Sequence, residues 1–182
     1  MTSALLALLL CTQPKPQVVS QTVGDVLVMT GTLEVDAPPA VAWEVLTDYD
    51  HQARFLPGMA TSHTEWRDGR EVRVVQSGST KLLFARITAS LELVIHEAPP
   101  AEIDFEDVLH RDFELYRGKW TLDAEPGRGV RITCQVIAKP RASGPMFLKA
   151  DALAANASQE LTALRNEINR RVALATSTGE NR

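Results

Sequence analysis

The chain has 182 residues, 45% of them hydrophobic and 23% charged, a balance that suits one globular domain with a sizeable core and excludes a wholly disordered chain. Its net charge of -4, with no basic cluster longer than Arg170 and Arg171, disfavours nucleic acid and anionic membrane surfaces as partners. Cys11 and Cys134 make neither a disulfide framework nor a metal-ligand set, so we expect no metal and no cofactor.

Residues 1–22 are predicted to be a leader or a disordered tail. The apolar run from Ala4 to Leu10 is too short to be an integral membrane span. It has the apolar core of a secretory leader but lacks a basic first region and an A-x-A cleavage site. We therefore expect a periplasmic or exported protein, with a cytoplasmic location as the alternative.

A long β-branched segment from Gly24 to Val35 predicts the first strand, bent or bulged at Gly31. Asp36 followed by two prolines then predicts a capped helix start, and the helix extends from Pro39 to Thr47.

A second short helix, from about Tyr49 to Phe55, is ended by Pro57 and Gly58. Aromatic and Met side chains adapt to apolar ligands, and glycine supplies hinge freedom. Tyr49, Phe55 and Met59 are therefore candidate lid residues; the alternative is that they simply cap the core.

Between Met59 and Ala138 no helical period appears, and turn signals recur at short spacing. This pattern predicts an antiparallel meander of about six strands. In its clearest strand, Leu83 to Ile95, apolar and polar residues alternate. Gly118 is predicted to be a bulge that swaps the faces of its strand. The turn signals are Asp68-Gly69, Gly78, Pro99-Pro100 and Pro126-Gly127.

Asp107 shares a predicted strand face with Ile103 and Phe105, so it is a carboxylate on an otherwise apolar face. Such a group would be desolvated, its pKa raised, and it could act as a general acid or base. The alternatives are a solvent-facing position or an ion pair with Arg111 or Arg117. Cys134, on the apolar face of the last strand, is interpreted as a small buried hydrophobe rather than a nucleophile.

The last long segment, from Phe147 to Ala173, predicts one amphipathic helix. Its N-terminal half offers mostly alanine, which would leave space against the sheet. The larger residues of its C-terminal half should pack tightly. The apolar stripe consists of Leu153, Ala157, Leu161, Leu164, Ile168 and Val172.

The segment from Leu33 to Pro57, LEVDAPPAVAWEVLTDYDHQARFLP, resembles the opening of the START-like superfamily, in particular its polyketide cyclase and coenzyme-Q-binding branch. Gly118-Lys119-Trp120-Thr121-Leu122 and the amphipathic last helix also match. The resemblance implies an α+β helix-grip fold in residues 23–175. A curved antiparallel sheet of about seven strands would grip the long C-terminal helix, with two short helices after the first strand and a frayed tail at 176–182.

The resemblance also implies a cavity between sheet and helix that holds a lipid, quinone or polyketide. Small residues on both predicted walls favour the same interpretation, against a filled core as the alternative. The predicted cavity-wall residues are Ala85, Ala89, Ile103, Phe105, Asp107, Trp120, Cys134, Ala150, Ala154 and Ala157.

The leading functional hypothesis is a non-enzymatic carrier of a hydrophobic small molecule, with no catalytic residue assigned. The first alternative is a polyketide cyclase or aromatase-like enzyme that uses the pocket carboxylate Asp107. The second is a module that binds another protein through the lid surface. No oligomeric state is predicted.

Overall fold

Eight antiparallel strands form one curved sheet that wraps a long C-terminal helix, as a computed structural model shows for residues 13–82, 85–142 and 145–179. The apolar run from Ala4 to Leu10, Cys11 and Leu83 lie outside the described residues. The strands are β1 (Gln17–Val23), β2 (Val26–Val35), β3 (Met59–Asp68), β4 (Glu71–Leu82), β5 (Ala85–Ala98), β6 (Glu102–Asp107), β7 (Phe113–Glu125) and β8 (Gly129–Pro140). The helices are α1 (Pro39–Leu46), a 3₁₀ helix (Tyr49–Arg54) and α2 (Met146–Gly179).

The sheet has the order β1-β2-β8-β7-β6-β5-β4-β3. The helix-grip architecture predicted from the sequence is confirmed, with one strand more than expected. That strand is β1, which pairs with β2 from Gln17↔Thr32 to Val23↔Val26. Residues 17–22, predicted to belong to a leader or tail, therefore lie in the sheet.

The first helix lies where the prolines predict it. Pro38 is its N-cap residue, and no side chain caps the helix, so the predicted cap by Asp36 is wrong. The second short helix is a 3₁₀ helix that ends one residue before Phe55.

Three glycines do not form the bulges or the turn that were predicted for them. Gly31 pairs in regular register with Cys134, so β2 has no bulge there. Gly78 lies within β4 rather than in a turn. The register shift of β7 lies between Phe113 and Leu115 instead of at Gly118.

At Gly118, an added Cβ atom would lie 2.5 Å from Cζ of Phe105, the residue that pairs with it on β6. The ring of Phe105 therefore occupies the space that a side chain on β7 would need. Gly118 serves close packing and leaves the strand regular.

Helix α2 packs on the concave face through Leu161, Leu164 and Ile168, each at most 4% exposed. These residues join one core cluster with inward-facing side chains of the sheet and of α1. The helix continues to Gly179, beyond the predicted end at Ala173. Among the described residues, no helix is long and apolar enough to cross a membrane.

Candidate ligand cavity

A cavity of about 540 Å³ lies between the concave face of the sheet, α2 and the segment around the 3₁₀ helix. This volume is within the range of small-molecule sites. Its apolar wall from the sheet consists of Met29, Ala89, Leu91, Leu93, Ile95, Ile103, Phe105, Phe113, Trp120 and Val136. The core is therefore packed at one end of α2 and open beside the rest of the helix.

Helix α2 lines the cavity over about four turns, from Lys149 to Leu164. Leu153, Ala157, Leu161 and Leu164 of the predicted stripe all face the cavity. Ala150 is buried and Ala154 is half-buried, but neither lines the cavity. The predicted alanine wall is therefore formed only in part, because Ala157 borders the cavity and Ala150 and Ala154 do not.

The structure brings together most of the predicted wall residues. Those that line the cavity are Ala89, Ile103, Phe105, Trp120, Cys134 and Ala157. Asp107 lies outside the lining together with Ala150 and Ala154. The side chain of Ala85 is not among those that the structure describes.

Asp107 has a structural role that differs from both predicted alternatives. Its side chain is fully buried, and its carboxylate accepts hydrogen bonds from the backbone N–H groups of Glu92 (2.9 Å), Leu109 (3.2 Å) and His110 (3.0 Å). It therefore satisfies backbone donors where β6 ends and where His110 adopts φ +50°. Asp107 neither faces solvent nor pairs with Arg111 or Arg117, and it does not reach the cavity.

The three predicted lid residues Tyr49, Phe55 and Met59 all line the cavity. Tyr49 is anchored because its hydroxyl donates to Glu97 Oε1 at 2.9 Å. Arg67 donates to both oxygens of Glu97, at 2.7 and 3.1 Å. Burial, together with the Glu97 carboxylate, raises the pKa of Tyr49 well above its usual range. Tyr49 thus remains a neutral hydrogen-bond donor.

The turn after the 3₁₀ helix packs directly against β4. Ser79 N–H donates to the carbonyl of Gly58 at 2.8 Å, and an added Cβ atom at Gly78 would lie 2.8 Å from that same oxygen. Gly58 has φ +80°, a conformation that glycine adopts without strain. The two glycines allow the lid backbone to close this edge of the cavity.

A small polar network lies beneath the lid. Gln76 donates to Gln52 Oε1 at 2.9 Å and to Ser62 Oγ at 3.2 Å, and Gln52 donates to the carbonyl of Leu46 at 3.0 Å. Both glutamines line the cavity. Their mutual hydrogen bonds fix the amides, which leaves the lid side of the cavity polar and ordered.

Glu160 is one of the lining residues that the sequence-based prediction missed. It lies on α2 among Ala157, Leu161 and Leu164, and its Oε1 accepts a hydrogen bond of 2.6 Å from Asn156 Nδ2. Burial raises the pKa of Glu160 to about 7, against the lowering effect of that hydrogen bond. Apolar residues at positions i−3, i+1 and i+4 were the signal that could have identified an inward-facing carboxyl group.

Tyr116 and Cys134 line the same cavity as Glu160. Burial first, and the charge of Glu160 second, raise the pKa of both groups well above their usual ranges. Cys134 therefore stays a thiol near neutral pH, which removes the thiolate that a nucleophilic cysteine requires. Glu160 is the lining group whose charge changes near pH 7.

A metal centre is not formed by the part of the chain that the structure describes. No group of three His, Cys, Asp or Glu side chains there is arranged to hold an ion. The chemistry available in the cavity includes hydrogen bonding by Glu160, Asn156, Gln76 and Tyr116, with proton transfer possible at Glu160.

Solved structures with the same fold include a lipid transfer protein and aromatase/cyclases. A STAR-related lipid transfer protein from Xanthomonas axonopodis has 20% identity and a TM-score of 0.70, over 85% of this chain and 93% of that one. The Zhui aromatase/cyclase from Streptomyces sp. R1128 has 16% identity and a TM-score of 0.70, over 81% and 96%. At these identities the likeness shows the fold alone.

A third similar structure is the di-domain aromatase/cyclase BexL of the BE-7585A biosynthetic pathway, with 16% identity and a TM-score of 0.64 over 79% of this chain. The chain spans half the length of BexL. No curated protein matches the sequence. A family model described as polyketide cyclase / dehydrase and lipid transport matches residues 35–160. This match extends from the end of β2 to Glu160 on α2, and the chain therefore belongs to that family.

Proposed function

We propose that the protein binds and carries a hydrophobic small molecule, such as a lipid, quinone or polyketide-like compound, in the cavity between the sheet and α2. The observation that supports this most directly is the apolar cavity of about 540 Å³. Burial of apolar ligand surface supplies about 25 cal/mol per Å², which is the main source of affinity for such a molecule. The family includes lipid transport by its description, which agrees with this function.

The lid supports reversible uptake. The 3₁₀ helix from Tyr49 to Arg54 covers the cavity with few residues and is held by identifiable contacts, chiefly Tyr49 to Glu97 and Gly58 to Ser79. Opening requires these contacts to break, whereas the sheet and α2 keep their core packing. A carrier needs such an entrance so that its ligand can enter and leave.

Native mass spectrometry of the purified protein, followed by organic extraction, tests the proposal. We expect an adduct that extraction removes, and uptake of a neutral apolar dye by the extracted protein. A157L, which fills the cavity, should lose both. A folded wild-type protein with neither an adduct nor dye binding would refute the carrier function.

A second candidate function is a cyclase-like enzyme, and the specific observation in its favour is the position of Glu160. A carboxylate in an apolar cavity, with its pKa raised to about 7, suits proton transfer at neutral pH. In an intramolecular aldol step, Glu160 would remove a proton from a carbon flanked by two carbonyls. The resulting enolate carbon would bond to another carbonyl carbon of the same chain, and the proton would return to the alkoxide oxygen.

Incubation with a linear poly-β-ketone tests this second function, since the cyclised product has the same mass and a different chromatographic retention. E160Q should abolish the conversion, while D151N, which changes an exposed carboxylate on the same helix, should leave it intact. Equal conversion by E160Q and wild type would rule out this role for Glu160.

A further inference from the structure

Glu160 has an incomplete set of hydrogen-bond partners in an apolar wall. Its Oε1 accepts the hydrogen bond from Asn156, whereas Oε2 has no partner among the described residues. The carboxylate can accept several hydrogen bonds, and a desolvated carboxylate without them is costly. Oε2 is open to the cavity, and a further donor can reach it from there, as part of a ligand or as water.

The two cations that line the cavity do not supply that donor. Arg141 Nε donates to the carbonyl of His110 at 3.1 Å, and Lys149 Nζ donates to the carbonyl of Ala142 at 2.8 Å. Neither cation forms an ion pair with Glu160 in the described part of the chain. Both lie beside the N-terminal end of α2, whereas Glu160 lies about three turns further along the helix from Lys149.

We propose that Glu160 is the polar recognition point for the ligand, and that it selects an apolar molecule carrying a neutral hydrogen-bond donor, in particular a hydroxyl group. The hydroxyl donates to the free Oε2 while Asn156 holds Oε1. This inference rests on the proposed function, because it assigns the class of ligand that the cavity carries.

Charge disfavours the two other polar classes. An anionic ligand would place its charge beside the Glu160 carboxylate in an apolar setting, where repulsion is poorly screened. A cationic ligand would have to lose its hydration and share the cavity with Arg141 and Lys149, which line it with the same sign of charge. A neutral hydroxyl group is not repelled by the Glu160 carboxylate and does not have to lose the hydration of an ion.

Displacement of a neutral apolar dye by four C10 probes tests this assignment: 1-decanol, decyl methyl ether, decyl sulfate and decyltrimethylammonium, each below its micelle concentration at pH 8. For wild type we expect 1-decanol to bind at least about tenfold more tightly than the ether and the sulfate, as a hydrogen bond to a charged group predicts. In E160L and in E160M the preference for 1-decanol over the ether should fall to about one, and D151N should keep the wild-type preference.

Thermal unfolding verifies that each variant is folded. If E160L does not fold, the test is made with E160M, whose side chain is close in size to that of glutamate. Equal affinity of wild type for 1-decanol and the ether, or an unchanged preference in both Glu160 variants, would overturn the recognition role. Tightest binding of decyltrimethylammonium would overturn it in favour of a cationic ligand. These outcomes leave the carrier function standing, whereas failure of the dye and of all four probes to bind folded wild type would refute both.

Discussion

The side-chain carbon Cδ1 of Leu161 lies 2.7 Å from the point that a Cβ atom would occupy at Gly31. The Leu161 side chain can thus lie directly on β2 at this point because residue 31 has no side chain. Gly31 and Leu161 both line the cavity, so this contact lies in its wall. The bulge that a glycine in a strand suggests is absent, and the close approach of the Leu161 side chain accounts for the residue.

The first prediction concerns this contact. G31A should destabilise the protein by about 1–3 kcal/mol, because Leu161 is buried and has to move aside. Urea unfolding of G31A, L161A and the double variant measures the coupling. The cost of G31A should be clearly smaller in the L161A background, and equal costs in both backgrounds would contradict the steric explanation.

The second prediction concerns the lid anchor. Y49F removes the hydroxyl that donates to Glu97, a carboxylate only 7% exposed, so unfolding should become easier by about 1–2 kcal/mol. Hydrogen exchange in Tyr49–Arg54 should accelerate, since Tyr49 begins this helix. Y116F is the matched control, because the Tyr116 hydroxyl makes no hydrogen bond to the described residues. Equal effects of the two variants would show that the bond to Glu97 does not hold the lid.

The third prediction separates cavity filling from helix packing. A157L extends into the cavity, whereas A154L on the same helix does not line it. We expect A157L to weaken uptake of a neutral apolar dye by at least about tenfold, which corresponds to about 1.4 kcal/mol. A154L should bind the dye as wild type does. Loss of binding in A154L alone would place the ligand elsewhere.

Much of the fold could be predicted because the sheet buries one face. Alternation along β5 and β6 identified Ala89, Ile103 and Phe105 as inward-facing, and the spacing of α2 identified Leu153, Ala157, Leu161 and Leu164. The resemblance to START-like proteins then supplied the order of the elements. Strand β1 was missed because it is an exposed edge strand whose pattern lacks an apolar face; Val19 is 70% exposed.

The candidate site was harder to predict, because two carboxyl groups have roles that depend on tertiary structure. Asp107 lies on an apolar strand face, yet its carboxylate accepts hydrogen bonds from three backbone N–H groups, one on β5 and two just after β6. Glu160 lies on the edge of an apolar helix stripe, where periodicity alone does not tell a solvated group from a cavity group. Only the packing of α2 across the sheet distinguishes the two.

The fourth prediction concerns acid stability. Hydrogen bonds from Arg170, and with them those from Arg171, lower the pKa of Glu167 to about 2 despite partial burial. Arg171 also bonds to Asp48, which ties α2 to the segment after α1. Since the folded pKa is below the ordinary value of 4.5, the stabilisation is present above pH 4.5 and is lost as the pH falls toward 2.

The lost contribution should be on the order of 1–3 kcal/mol, given the pKa difference and partial screening by solvent. Urea unfolding of wild type and E167Q between pH 2 and 7 measures it. The stability difference between the two should shrink toward low pH, while D151N should parallel wild type. A difference that stays constant with pH would show that Glu167 contributes by packing alone.

The fifth prediction concerns Glu160, whose contribution to stability falls as the pH rises, opposite to that of Glu167. Because burial raises its folded pKa from 4.5 to about 7, the native state favours the protonated form. The contribution of Glu160 to stability is therefore fully present below pH 4.5 and declines as the pH rises through 7. We expect the ligand-free wild type to lose about 1–3 kcal/mol over this window, an amount reduced from the full pKa difference because water reaches the group through the cavity. E160Q, which cannot ionise, should lack this loss and be the more stable protein at pH 8.

The two side chains whose pKa values respond to the charge of Glu160 do not titrate in this window. Tyr116 and Cys134 have pKa values raised well above their usual ranges, so both stay neutral, and none of the four histidines lines the cavity. Urea unfolding of extracted wild type and E160Q at pH 4.5, 6, 7 and 8 measures the effect. A bound hydroxyl ligand that donates to Oε2 should stabilise the carboxylate and shift the midpoint of the loss to lower pH. The same pH dependence in E160Q would assign the loss to another group and remove Glu160 as the ionising residue of the cavity.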